Sequence, residues 1–220
     1  MIKAVLFDLD GTLLNTMADL AAAANSAAKK CGYAPKPISE FNEYIGHGTE
    51  YMLSRVTDMP KNSEAVKKVK AEFRKYYGEH YSDNTVAYDG MVKVLDTLKN
   101  MGIKLGVVTN KLQEMTVRLI KENFGDRFDT VWGDDGVTAA KPDPERAVKA
   151  AAELCVKPDQ CLFVGDSDVD MFLAQNFGAH SVGASWGFRT KKELVSSGAE
   201  FIADTPDDII SAVTEVNNAQ

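Results

Sequence analysis

Long hydrophobic runs, cysteine and positive charge are all scarce in this sequence, and each shortage excludes a class of protein. No apolar segment approaches the roughly 20 residues needed to cross a bilayer, and the amino terminus has no signal-peptide layout, so we predict a cytoplasmic protein without membrane segments. The three cysteines, Cys31, Cys155 and Cys161, lack metal-ligand spacing and are expected to be reduced structural thiols. Lys and Arg number 25 against 32 Asp and Glu, giving a net charge of −7, which argues against nucleic-acid binding.

What the sequence does contain is a short apolar run that ends in two acidic residues. Residues 4–7 are consecutive apolar residues, typical of a strand buried on both faces of a parallel sheet. Ligands bind at the carboxyl ends of such strands, and Asp8 and Asp10 share one side because strand side chains alternate. We therefore expect Asp8 and Asp10 at the mouth of a site, where two like charges favour a bound cation. The alternative is that Asp10-Gly11 only closes the strand with a turn.

Beyond residue 90 the sequence alternates between helix and strand patterns. Strands are predicted at residues 104–109, 130–132, 161–164, 180–182 and 201–202, with helical segments between most of them. This spacing predicts an α/β protein whose core is a doubly wound, mostly parallel, Rossmann-like sheet.

A helical block interrupts this alternation between the first and second strands. Helices are predicted at residues 16–30, 39–44, 50–56 and 62–77, and Thr16 to Asp19 has the form of a capping box. We predict a discontinuous core domain, residues 1–15 and 83–220, with a helical cap domain, residues 16–82, above the site. The hinges of the cap are expected near residues 14–15 and 83–89.

Two later segments place nitrogen and oxygen donors at the same edge of the sheet. Thr109 and Asn110 end a predicted strand, and their hydroxyl and amide can hold an oxyanion, although Thr-Asn is also a common helix cap. Lys141 precedes a proline, which keeps it out of helical geometry and in a loop near this edge. The alternative for Lys141 is an ordinary solvated lysine.

Three acids follow the strand predicted at residues 161–164. Asp166, Asp168 and Asp170 are crowded together, and such crowding favours a hard cation with oxygen ligands such as Mg²⁺. A calcium-binding loop would require a longer series of ligands ending in Glu, which is missing here. We assign no role to Asp168, which is expected to be solvated.

Four motifs together resemble the haloacid dehalogenase superfamily of phosphohydrolases. In order, they are Asp8-Leu9-Asp10-Gly11-Thr12, Thr109-Asn110, Lys141-Pro142 and Gly165-Asp166-Ser167-x-x-Asp170. The resemblance covers nearly the whole chain, including the helical insertion. Within the superfamily the sequence is most similar to the phosphoglycolate phosphatases, through the Ala-rich helix after the first motif and through residues 44–48, 76–78 and 108–111.

The resemblance implies hydrolysis of a small phosphate ester in two steps. Asp8 would attack phosphorus and form an aspartyl phosphate. Asp10 would protonate the leaving oxygen and then deprotonate the attacking water, so the two carboxyl groups must differ in protonation at the start. Mg²⁺ would be held by the carboxylates of Asp8 and Asp166 and the backbone carbonyl of Asp10, with Asp170 orienting the metal shell.

The same resemblance assigns residues to the substrate. Thr109, Asn110 and Lys141 would hold the phosphoryl oxygens. Gly46 and His47, in the predicted cap, are candidates to meet the rest of the substrate, although the glycines beside His47 are equally consistent with a simple turn.

Several activities stay open under this resemblance. A dehalogenase requires neither the metal nor Asp10, so it is disfavoured. A sugar phosphomutase would carry a histidine in the first cap helix, where Leu20 stands here. Pyrophosphatase or nucleotidase activity is the runner-up, because the core chemistry is shared and only the cap differs. A non-catalytic binding protein would be expected to have lost one of the core acids, all of which are present. The expected partner is a small phosphorylated metabolite, and the oligomeric state is unknown.

Overall fold

A six-stranded parallel sheet forms the centre of the protein. The computed structural model describes residues 1–219. Its strands are β1 (Ala4–Phe7), β2 (Leu14–Asn15), β3 (Val86–Ala87), β4 (Lys104–Leu112), β5 (Thr130–Asp134), β6 (Cys161–Gly165), β7 (His180–Ala184) and β8 (Phe201–Ala203). The sheet has the order β5-β4-β1-β6-β7-β8, and every neighbouring pair is parallel. This arrangement confirms the predicted α/β fold with a doubly wound parallel sheet.

Helices cover both faces of this sheet. They are α1 (Met17–Lys30), α2 (Phe41–Tyr44), α3 (Thr49–Thr57), α4 (Glu64–His80), α5 (Met91–Asn100), α6 (Gln113–Phe124), α7 (Glu145–Glu153), α8 (Asp168–Phe177), α9 (Lys191–Ser196) and α10 (Asp208–Asn218). Val5 and Phe7 of β1 pack with residues of α5, α6 and α10, whereas Ala4 and Leu6 pack with α7 and α8. Because successive strand side chains point to opposite faces, a strand covered on both sides requires an uninterrupted apolar sequence.

Helices α1 to α4 have a hydrophobic core of their own. Leu20, Phe41, Leu53 and Phe73 belong to this cluster, which is separate from the two clusters that flank the sheet. The four helices lie between β2 and β3, which pair antiparallel, so the chain leaves the sheet and returns to it at adjacent points. The division into a core at 1–15 and 83–220 and a cap at 16–82 stays a prediction.

The predicted capping box at the start of α1 is wrong. Thr16 is the N-cap residue, but its side chain makes no capping hydrogen bond. The carboxylate of Asp19 instead accepts hydrogen bonds from the backbone N of Asn84 at 2.9 Å, from Nδ2 of Asn84 at 2.8 Å and from Oγ1 of Thr85 at 2.8 Å. Asp19 therefore joins the first turn of α1 to the segment that returns to the sheet, because that segment offers it more donors than the helix end does.

Two predictions from composition concern the state of the cysteines and the presence of membrane-spanning segments. All three cysteines are free thiols, and Cys161 is buried at the start of β6, as expected for a core residue. Within residues 1–219, none of the helices has the length and apolar character needed to cross a membrane.

Candidate active site

The candidate site lies where the carboxyl ends of three neighbouring strands meet. β1 has β4 on one side and β6 on the other, so the residues that end these strands converge. Asp8 follows β1, Thr109 and Asn110 lie in β4, and Asp166 follows β6. All four side chains are buried. The structure thus brings together the acids and donors that the sequence placed at separate strand ends.

Lys141 links two of the acids. Its Nζ lies 2.6 Å from Oδ1 of Asp8 and 2.6 Å from Oδ1 of Asp170, and all three side chains are at most 5% exposed. The attraction to both carboxylates outweighs the cost of burial and raises the pKa of Lys141, so the ammonium stays charged. Lys141 therefore supplies one positive charge between two negative ones.

Asn110 positions this lysine through its side-chain amide. Oδ1 of Asn110 accepts the backbone N–H of Lys141 at 2.8 Å, and Nδ2 donates to the carbonyls of Lys141 and Gly46, both at 3.2 Å. Arg146, a fully buried residue of α7, donates to the Thr109 carbonyl at 2.9 Å and to Oδ1 of Asn110 at 3.3 Å. The amide of Asn110 thus connects the lysine loop with Gly46, while the Thr109 hydroxyl proton has no acceptor among the described residues.

Three buried carboxylates form a cluster beside Lys141. Oxygen atoms of Asp8, Asp166 and Asp170 lie within 4.8 Å of one another. Burial, together with the charges of Asp170 and Asp8, raises the pKa of Asp166 well above its usual range. Burial also raises the pKa of Asp8 to about 6, although Lys141 opposes this shift. One ammonium cannot balance three carboxylates, and an all-oxygen donor set is the kind that Mg²⁺ prefers, so these residues fit a hard divalent cation.

Asp166 is held in one orientation by its neighbours. Oδ1 accepts a hydrogen bond from Oγ1 of Thr12 at 3.1 Å, and Oδ2 accepts one from the backbone N of Phe188 at 2.8 Å. Gly11 and Gly187 approach the same carboxylate so closely that a Cβ atom on either would lie 2.2 Å from an Asp166 side-chain atom. The close packing of Asp166 therefore requires glycine at both positions.

Asp170 belongs to the first turn of α8, which begins at Asp168, whereas the sequence pattern predicts a helix over 171–175. Ser167 is its N-cap, and the backbone N and Oγ of Ser167 donate to Oδ2 of Asp170 at 3.1 and 2.6 Å. Ser167 and Asp170 have the spacing of a capping box, so the sequence also contains a signal for this helix start.

Sequence reasoning missed Lys111. Its Nζ donates to Oδ1 of Asp10 at 2.9 Å and to the hydroxyl of Tyr77, on α4, at 2.6 Å. The Lys111 side chain is 5% exposed, and the neighbouring Asp10 and Tyr77 raise its pKa against the effect of burial. Strand β4 runs to Leu112 rather than to residue 109, which carries Lys111 into the site. The sequence signal for this contact is that Lys111 directly follows Thr109-Asn110.

The acids and Lys111 line a cavity of about 40 Å³ between the sheet and the inserted helices. Its polar wall includes Asp8, Asp10, Thr109, Asn110 and Lys111. Its facing wall comes from Ile45, Gly46, Gly48 and Thr49 and from the apolar side chains of Leu20, Met52, Phe73 and, on α6, Met115. Gly46 therefore lies at this cavity, where it was expected.

His47 lies outside the lining of this cavity. Its Nε2 is 3.5 Å from Oδ1 of Asp168, and its ring packs on Tyr51 with the centroids 4.7 Å apart. It lines a separate surface depression with Asp168 and Arg189, and Nη2 of Arg189 donates to the Ile45 carbonyl at 3.0 Å. The structure therefore does not bring His47 together with the other predicted site residues, and a substrate contact for His47 stays a prediction.

Comparisons with known proteins agree with the resemblance inferred from the motifs. The family model described as "Haloacid dehalogenase-like hydrolase" matches residues 5–184. A curated phosphoglycolate phosphatase from Neisseria gonorrhoeae is 34% identical, with 98% of this chain and 92% of the relative covered. Another from Aquifex aeolicus is 32% identical, over 94% of this chain and 95% of the relative.

Solved structures give the same result. The crystal structure of a candidate phosphoglycolate phosphatase from Lactobacillus delbrueckii subsp. bulgaricus superposes with a TM-score of 0.88, at 28% identity, over 96% of this chain and 98% of that chain. The sheet and the helices inserted into it thus have the fold of a Rossmann-like hydrolase. The chain belongs to the haloacid dehalogenase-like hydrolase family.

Proposed function

We propose that this chain is a Mg²⁺-dependent phosphatase that hydrolyses 2-phosphoglycolate, or a similar small phosphate ester, through an aspartyl-phosphate intermediate. The position of Asp8 carries the proposal. Its carboxylate lines the cavity at the carboxyl end of β1 and is in contact with Lys141. A carboxylate held there can attack a phosphoryl group that enters the cavity.

Asp8 acts as the nucleophile because a pKa of about 6 leaves its carboxylate ionised at neutral pH. Lys141 lowers the pKa of Asp8 against burial, which alone favours the neutral acid. The Thr109 hydroxyl oxygen accepts the backbone N–H of Lys111 at 3.3 Å, so the hydroxyl proton is free to be donated to a phosphoryl oxygen. Asp10 protonates the leaving oxygen and later takes a proton from the water that hydrolyses the aspartyl phosphate.

The proposed metal site uses residues of the carboxylate cluster. Asp8 and Asp166 would supply carboxylate oxygens and Asp10 its backbone carbonyl. Asp170, fixed by Ser167 and Lys141, would orient the surrounding shell. A divalent cation held by these residues would neutralise part of their negative charge, so that an anionic phosphate could approach the Asp8 carboxylate.

The cavity supports a small substrate. Its volume of about 40 Å³ is far below the several hundred Å³ of a typical drug-sized ligand site. The curated relatives from Neisseria gonorrhoeae and Aquifex aeolicus carry the name phosphoglycolate phosphatase, which supports a two-carbon phosphate ester. A nucleotide is the less favoured alternative on size, and the cytoplasmic location stays a prediction from the sequence.

The substrate and the nucleophile are tested together by phosphate release. We expect Mg²⁺-loaded protein to prefer 2-phosphoglycolate over pyrophosphate, nucleoside monophosphates and hexose phosphates in kcat/KM. Asp8→Asn should lower kcat by about four orders of magnitude or more, because an amide does not attack phosphorus. Asp159→Asn, at an exposed position, is the matched control and should keep full activity. Steady-state turnover by Asp8→Asn would exclude the covalent mechanism, and preference for another ester would exclude the substrate.

Metal dependence is tested separately. Excess chelator should abolish phosphate release, and added Mg²⁺ should restore it. Mg²⁺ should also raise the melting temperature of the unliganded protein, because it binds the buried carboxylates of the folded state only. Unchanged activity in excess chelator would contradict the proposed metal site.

A further inference from the structure

The cavity contains one positively charged side chain. Among the described residues that line it, Lys111 is the only Lys or Arg, and Lys141, which contacts Asp8 and Asp170, is not part of the lining. The phosphoryl group, under the proposed function, lies against Asp8. Lys111 is therefore the cation available to the part of the substrate that is not phosphoryl.

The ammonium of Lys111 has the capacity for one more partner. Two of its three N–H groups point to Oδ1 of Asp10 and to the hydroxyl of Tyr77. Burial raises the pKa of Tyr77 to about 12, so the phenol stays neutral and adds no second negative charge. A buried ammonium with one carboxylate partner and one free N–H is suited to a second anion.

The opposite wall restricts what that anion is attached to. Leu20, Met52, Phe73 and Met115 are apolar, and among the described residues of this wall only Thr49 has a side-chain hydroxyl. A substrate with several hydroxyl groups would therefore leave most of them without a side-chain hydrogen-bond partner. A short chain that ends in a single anionic group would place the anion on Lys111 and its methylene on the apolar wall.

We infer that Lys111 is the specificity-determining residue of this site and that it binds a carboxylate of the substrate. The substrate class is a short phosphate ester with a carboxylate one carbon from the ester oxygen. This inference rests on the proposed function. The alternative is that Lys111 only holds Asp10 in place. In that case, replacing Lys111 would lower kcat/KM equally for every substrate.

The test compares two substrates that differ in the carboxylate, 2-phosphoglycolate and ethyl phosphate. In wild-type protein, kcat/KM should be much higher for 2-phosphoglycolate than for ethyl phosphate. In Lys111→Met and Lys111→Gln the ratio of these two values should fall about 10- to 100-fold, mainly because KM rises for the carboxylated ester, as expected for a hydrogen bond between charged groups. A loss of activity caused by displacement of Asp10 affects both substrates equally and therefore cancels in the ratio of their kcat/KM values. Lys93→Met, on the surface, is the matched control.

A binding measurement separates this inference from the proposed function. Calorimetry with 3-phosphonopropionate and propylphosphonate, which cannot be hydrolysed as esters, measures carboxylate recognition without turnover. Lys111→Gln retains a hydrogen-bond donor toward Asp10 and Tyr77, which protects the fold if the methionine variant is unstable. A 10- to 100-fold weaker affinity for 3-phosphonopropionate alone supports the inference even if the wild-type protein hydrolyses neither ester. An unchanged ratio in kinetics, or equal losses in binding, overturns it.

Discussion

At the scale of single residues, the site depends on where its two lysines lie. Lys141 contacts Asp8 and Asp170, and Lys111 contacts Asp10, so each aspartate of the first motif has its own ammonium. The sequence predicts Lys141 because a loop lysine before proline is part of a motif. It does not predict the ion pair of Lys111, because Asp10 is 101 positions away and meets it only in the folded chain.

Removing Lys141 leaves the carboxylate cluster without its ammonium. We expect Lys141→Met to destabilise the metal-free protein by about 3–5 kcal/mol, the usual cost of breaking a buried ion pair. Activity should fall at least about a hundredfold, because Asp8 then favours the neutral acid. Urea unfolding in chelator and with Mg²⁺ measures the effect, and added metal should recover part of the loss. Lys93→Met is the exposed control, and equal stability of both variants in chelator would contradict this account.

At the scale of secondary-structure elements, apolar periodicity predicts the strands of the sheet and most of the helices. Three differences have physical causes. Strand β4 is three residues longer than predicted because polar residues at its end are buried in the site. Helix α8 starts earlier because Ser167 and Asp170 cap its first turn. The pairing of β2 with β3 spans two residues on each side, which is too short for a periodic pattern.

The loop that follows β7 supports the metal site through its backbone. A Cβ atom at Gly187 would lie 2.2 Å from Cβ of Asp166, so Gly187→Ala should displace that carboxylate. We expect weaker Mg²⁺ activation, with at least about a tenfold higher half-saturating Mg²⁺ concentration. Gly78→Ala is the matched control, because a Cβ there meets nothing within 4 Å and alanine favours the helix. Equal Mg²⁺ dependence in both variants would show that Asp166 tolerates the shift.

At the scale of the whole molecule, the inserted helices and the sheet are connected through Asp19. Burial raises its pKa, but hydrogen bonds from Asn84 and Thr85 outweigh that effect, and the folded-state pKa of Asp19 lies below the ordinary value of 3.8. The group therefore stabilises the fold fully above its unfolded-state pKa. That stabilisation is lost as pH falls through the lower folded-state pKa.

Asp19→Asn should lower the free energy of unfolding by about 1–3 kcal/mol at pH 7, because one acceptor becomes a donor that faces the N–H groups of Asn84. The difference from wild type should shrink as the pH is lowered from about 5 toward about 3. Denaturant titrations over this range, with the exposed Asp159→Asn as the control, measure it. A difference that is independent of pH would mean that the ionised carboxylate is not the stabilising form.

The antiparallel pair of β2 and β3 also has a consequence for how such a chain diversifies. Leu14 lies opposite Ala87, so the two ends of the inserted segment are one strand spacing apart, about 5 Å. A segment attached at neighbouring points can be lengthened, shortened or exchanged without displacing the sheet that carries Asp8, Lys141 and Asp166. The helices that line one side of the cavity are therefore encoded in a stretch of sequence that can vary independently of the strands that carry these three residues.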